Sequence, residues 1–181
     1  MVYYVYEPAS DDYGAVSLSR DAGSRLIDAH LDDERVGDTW DKIVFDRYDD
    51  DLNVPSDFPC FSNYTRVPLM SARAWDAISD MVGDYCEPLP VVMPSGEECY
   101  FVHVMLTVDA LDESRSEISY NNTTGRISRV YRYVFNSPIP QDIHLFKLPI
   151  HRGSELVYDS HFKSLVEEND LKGLLHTELP M

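Results

Sequence analysis

The pattern of apolar and polar residues breaks the chain into short segments. Residues 2–6 are aromatic and β-branched and are stopped by Pro8, which predicts a first strand. Residues 22–31 predict a short helix with Leu26, Ile27 and His30 on one side. Residues 40–48 alternate, with Ile43 and Phe45 set against Lys42, Val44 and Asp46, and predict a strand ending at the acidic turn Asp49, Asp50, Asp51. Residues 51–68 are turn-rich, punctuated by Pro55, Pro59 and Pro68. A helix follows, with Ser71 as N-cap, Trp75, Ile78 and Val82 at spacings of three and four, and Gly83 near its end.

Strands dominate the second half. Residues 89–93 predict a short strand, and the apolar, aromatic run 98–108 a long central one. In 127–135, Ile127, Arg129, Tyr131, Tyr133 and Phe135 are expected on one face, and Ser128, Val130, Arg132 and Val134 on the other. Residues 143–148 repeat the pattern. A last helix, capped by Asp159 or Ser160 and striped by Phe162, Leu165 and Val166, closes at 169–173, and 174–179 form a final extended piece. Strands outnumber helices and do not alternate regularly with them. The expected class is therefore α+β, a mostly antiparallel sheet with two or three helices, built as a single domain over 1–181.

Charge changes this picture of an ordinary domain. The chain carries 32 acidic and 15 basic side chains, a net of −17. Residues 1–60 hold 15 of the acids and 5 of the bases. Asp32, Asp33, Glu34 and Asp49, Asp50, Asp51 are the two clusters. Such a field repels nucleic acid and anionic lipid and draws basic partners. It also serves, more plainly, as a solubilising surface. All six acids of the two clusters are expected to face the partner, and because they fall on predicted loops their neutralisation is expected to leave folding almost untouched.

Little catalytic chemistry is visible. There is no phosphate-cradling glycine loop, no nucleophile elbow and no histidine pair with helical zinc spacing. His30, His103, His144, His151, His161 and His176 are scattered singly. His103 falls in an apolar run, where a hydrogen-bonded core imidazole is the expected role. Cys60, Cys86 and Cys99 have neither disulfide-framework nor zinc spacing. No catalytic residue, metal or cofactor is expected. The N-terminus lacks a secretory pattern and no run spans a bilayer, so a cytoplasmic location away from membranes is expected. The 12 tyrosines offer interface area, notably Tyr3, Tyr4, Tyr6 and Tyr13, and Tyr131 and Tyr133 on one strand.

The most distinctive stretch is 108–116. Its carboxylates, Asp109 and Asp112, could form an acid/base pair or cation site. The better reading is a turn in which Asp109, Asp112 and Ser116 make local hydrogen bonds and Leu111 plugs the core, so that Asp109→Ala should destabilise.

The sequence Val108-Asp109-Ala110-Leu111-Asp112, with Ser114 and Ser116, also resembles a signature of a known family. Asp57-Phe58-Pro59-Cys60, the helix at Ser71, Glu87-Pro88-Leu89-Pro90, Gly125-Arg126-Ile127, Tyr131-Arg132-Tyr133-Val134-Phe135 and Leu171-Lys172-Gly173-Leu174 accompany it. The chain is similar, over residues 55–179, to the eleventh class of immunity proteins of bacterial polymorphic toxin systems. Residues 1–54, the most acidic part, carry no family motif. The resemblance implies a cytoplasmic, non-enzymatic antidote that neutralises a cognate toxin, for which a basic nuclease is a fitting partner. Two further readings stay open: an acidic nucleic-acid mimic that inhibits a DNA-binding protein, and an unrecognised enzyme.

Overall fold

The unbroken aromatic and β-branched run in residues 2–6 requires two apolar environments, one on each side of the strand, and the computed structural model supplies both. It describes residues 1–48, 54–62, 64–150 and 155–181. The first strand, β1 (Tyr3–Pro8), lies inside a four-stranded antiparallel sheet. Its neighbours are β12 (Glu155–Asp159) and β13 (Leu174–Glu178), and β11 (Leu145–Leu148) completes the order β11-β12-β1-β13. Tyr4 and Tyr6 enter one core with Leu156 and Tyr158, while Tyr3 enters another with Val157. The sheet is thus covered on both faces, and β11 and β12 are buried along their whole length.

A second sheet has the order β3-β7-β8-β6: β3 (Ile43–Val44), β7 (Cys86–Val92), β8 (Glu98–Val104) and β6 (Leu69–Ser71). Only the β3–β7 pairing is parallel. Val102 and Val104 of β8 share the core of Tyr4 and Tyr6, whereas Cys99 and Phe101 face the opposite way, into a core with Leu26 and Phe61. Helix α2 (Ala72–Val82) buries Ala74, Ile78 and Val82, and α3 (Ser160–Glu168) buries Phe162 and Val166, all in the first of these cores. Helix α1 (Arg20–Leu31) covers the other face of the second sheet. Two small sheets complete the described structure: β4-β2-β5, from β2 (Ala15–Ser17), β4 (Asp46–Arg47) and β5 (Cys60–Phe61), and the hairpin β9 (Glu117–Tyr120) with β10 (Ile127–Arg132). The chain is α+β, with three α-helices among the described residues.

Three strands depart from the periodicity. The run 40–48 splits at Phe45, whose N–H bonds Val92 in the second sheet, before Asp46 and Arg47 pair with β2. The run 98–108 is one strand only to Val104. Beyond it the chain changes sheets, and Thr107 bridges to Lys147 at the edge of the first. In β10 two register shifts break the twofold alternation, so Val130 and Tyr133 are buried and Tyr131 is exposed. Each bulge adds a residue and turns the following side chains to the other face. The tyrosines are accordingly divided. Tyr3, Tyr4, Tyr6 and Tyr133 are core residues, and Tyr131 remains a surface residue under the Arg129 guanidinium.

Candidate functional site

The segment 109–116 forms the root of the β9–β10 hairpin. The N–H of Asp112 donates to the Val134 carbonyl, and Leu111 bridges Phe135 and packs into the core beside Tyr3. Asp112 Oδ1 accepts from the Ser114 N–H and hydroxyl and from the Arg115 N–H, and its Oδ2 meets Arg115 Nε at 2.6 Å. The hydrogen bonds from Ser114 and Arg115 pull the Asp112 carboxyl down to about 2. Ser116 Oγ accepts from the Val134 N–H at 2.9 Å, stitching the two ends of the hairpin. Asp109 differs. Its side chain is exposed, and its hydrogen bond among the described residues is an Asn136 amide donating to its carbonyl. A carboxylate placed this way leaves no orphaned backbone donor when removed.

The Asp32–Glu34 cluster lies just past α1. Asp32 is the C-cap residue, and its carboxylate accepts from the Glu34 N–H. Asp33 has a different role. Its Oδ1 stands 2.6 Å from Lys147 Nζ and accepts from the Thr107 hydroxyl at 2.8 Å. Lys147, on β11, is fully buried, and its ammonium also donates to the carbonyls of His30 and Asp32. A cation distant in sequence thus serves the open carbonyl end of α1. Burial pushes the Asp33 carboxyl up, but the Lys147 and Thr107 hydrogen bonds outweigh it and hold the acid below its ordinary range. His103 Nε2 donates to the same Asp32 carbonyl at 2.9 Å. His30, beside them, is buried with neither ring nitrogen hydrogen-bonded, and burial first, then the Lys147 charge, lowers it to about 3. Asp32 and Glu34 are exposed, whereas the Asp33 carboxylate is bound into the fold. Asp49, Asp50 and Asp51 lie outside the described residues.

Asp57 gathers three segments that are far apart in sequence. Its carboxylate accepts from the Ser71 hydroxyl at 2.7 Å, from Arg73 through Nε and, at 2.6 Å, a terminal nitrogen, and from the Lys172 N–H at 2.8 Å. Burial raises the Asp57 carboxyl, and the bonds from Arg73, Lys172 and Ser71 bring it below the usual range. Arg73 continues to the carbonyls of Asn169 and Asp170 past α3. The adjoining Gly173 has φ +95°, and a Cβ there would fall 1.9 Å from Ser56 Oγ, so only glycine fits. The hub clamps the start of α2 to the end of α3 through a buried carboxylate and a half-exposed arginine.

One cluster is invisible in the sequence. Asp159, fully buried at the end of β12, caps α3 by accepting from the N–H groups of His161 and Phe162 through Oδ1. Its Oδ2 lies 3.0 Å from His144 Nδ1 and 3.1 Å from His161 Nδ1. His144 precedes β11 and His161 opens α3, so strand pairing, not spacing, brings the rings together.

None of the curated proteins compared matches this chain. Among the described residues, no helix is long and apolar enough to cross a membrane. A family model does match, over residues 41–179, so that Asp57, the 109–116 turn and Lys147 fall inside it and Asp32–Glu34 outside. The segments joined by Asp57 and by the hairpin root all lie within that span, and the chain belongs to the immunity protein family Imm11.

Proposed function

We propose that the chain is a stoichiometric, non-enzymatic inhibitor that binds a cognate protein toxin in the cytoplasm and occludes its working surface. The observation that carries this reading is the family match over 41–179. The net charge of −17 supports a toxin with a basic surface, such as a nuclease, because complementary fields speed encounter and reject wrong partners. Asp32 and Glu34 are exposed at the end of α1 and are proposed to face the toxin, together with Asp49, Asp50 and Asp51. A stable complex of this kind buries on the order of 1,600 Å².

The test pairs the purified chain with the toxin encoded beside its gene. Expected are a one-to-one complex, loss of toxin activity in proportion to complex formed, and rescue of cells that express both. Absence of binding together with absence of rescue would sink the proposal.

A further inference from the structure

We propose that His144, Asp159 and His161 form a binding site for a divalent transition metal of the Zn²⁺ and Co²⁺ class, with water completing its shell on the exposed side. The three donors come from three places: the residue before β11, the last residue of β12 and the first turn of α3. Asp159 Oδ2 lies 3.0 and 3.1 Å from the two Nδ1 atoms. A metal about 2.0–2.1 Å from each donor sets neighbouring ligand atoms about 2.9–3.4 Å apart; the two imidazole–carboxylate separations match that spacing, and all three ligand atoms lie within 4.8 Å of one another.

The geometry is held from behind. Asp159 Oδ1 is engaged by the first N–H groups of α3, which fixes the carboxylate and leaves Oδ2 to the imidazoles. The Asp159 N–H donates to the His144 carbonyl, and the Tyr85 hydroxyl accepts from the His144 N–H. The pair thus continues the β11–β12 ladder beyond Leu145 and Tyr158. Capping α3 requires Oδ1 alone, and Oδ2 is left to two imidazoles, which donate to this buried oxygen when no ion is bound and can exchange those protons for a shared metal. Two imidazoles with one carboxylate select borderline metals over Mg²⁺ or Ca²⁺, which take oxygen ligands. His161 is 59% exposed, which gives the ion a path and leaves room for exchangeable water. The net charge of −17 raises the local cation concentration.

The test uses the full chain after chelator treatment. Titration with Co²⁺, followed by visible absorption, is expected to saturate at one equivalent, with ligand-field bands and without the intense thiolate bands that Cys60, Cys86 or Cys99 would give. Mg²⁺ should not compete. His161→Ala is expected to weaken Co²⁺ at least about tenfold, and also to lower the metal-free melting temperature, because it removes one of the two imidazoles on the buried Asp159 carboxylate. In the unaltered protein, one equivalent of Zn²⁺ should shift the side-chain nitrogen resonances of two histidines, whether or not the variant folds. Absence of saturable Co²⁺ binding, binding that persists undiminished in His161→Ala, or a thiolate spectrum overturns the proposal.

Discussion

Asp33 and Asp57 are acidic side chains whose main work is inside the molecule, and their neighbours set what each is worth. Asp33→Asn leaves the buried Lys147 ammonium with carbonyl partners only. Asp33 is itself about half exposed, so the expected loss is about 1–2 kcal/mol, below the 3–5 kcal/mol of a fully buried broken pair. Asp32→Asn and Glu34→Gln should stay within about 0.5 kcal/mol. Urea midpoints of the three variants check this, and a midpoint for Asp33→Asn equal to the others would refute the anchoring role. At Asp57 the loss on Asn substitution should reach about 2–4 kcal/mol, because the carboxylate is buried and serves Arg73, Ser71 and the Lys172 backbone together. Its contribution is present above the ordinary carboxyl value of 3.8 and is lost as pH falls through its lowered folded value. His30 acts in a higher window. Its folded value of about 3 lies below the unfolded 6.5, so the unfolded chain binds the proton first. Stability from His30 is therefore full above 6.5 and declines as pH falls from 6.5 towards 3, by on the order of 3–5 kcal/mol. His30→Leu should flatten the stability curve between pH 6.5 and 4. An unchanged slope there would show that His30 is not the acid-sensitive group.

Single elements owe their ends to side chains. Ser71 and Asp159 cap α2 and α3, and both lie where the residue types alone place a cap. The hairpin of β9 and β10 is closed by Ser116, whose oxygen takes the Val134 N–H, while its own hydroxyl donates to the Val134 carbonyl. Ser116→Ala is expected to cost about 1–2 kcal/mol and to raise amide exchange at Val134 above that of the rest of the hairpin. Uniform exchange across the hairpin would show that Ser116 does not close it. Asp109→Ala, by contrast, should stay within about 0.5 kcal/mol, since its carboxylate is exposed. The turn 108–116 was legible as a turn because Asp and Ser compete for backbone donors. The partner of Ser116 was not, because Val134 reaches it only when the segment 133–136 returns beside the turn.

Across the whole molecule, the charge imbalance is a long-range field with short-range exceptions. Neutralising Asp32, Glu34, Asp49, Asp50 and Asp51 together, with Asp33 kept, is expected to slow association with the cognate toxin and to flatten its salt dependence. Sparing Asp33 separates loss of field from loss of the Lys147 anchor. Stopped-flow association from low to high ionic strength decides the matter. A variant that associates as fast as the parent at low salt would assign these acids to solubility and move the contact surface elsewhere, with the exposed Tyr131 and Tyr120 of the hairpin as the next candidates.

Local chemistry was enough to find the three helices and the caps of α2 and α3, the aromatic first strand and the α+β class, since caps, periodicity and β-branched runs act between residues a few positions apart. It also sufficed for the acidity of the chain and for the family-like motifs. Long-range pairing decided the rest. Phe45 and Thr107 mark places where an extended chain leaves one sheet for another, and no residue type announces such a crossing. The bulges of β10 reversed the faces of Val130 and Tyr131 because a single extra residue inverts a twofold pattern. Lys147, an ordinary cation in the sequence, became a buried cap for α1 only when β11 was laid beneath that helix's end. His144 and His161 met on Asp159 for the same reason: a strand pairing sets side chains side by side that the chain itself keeps apart.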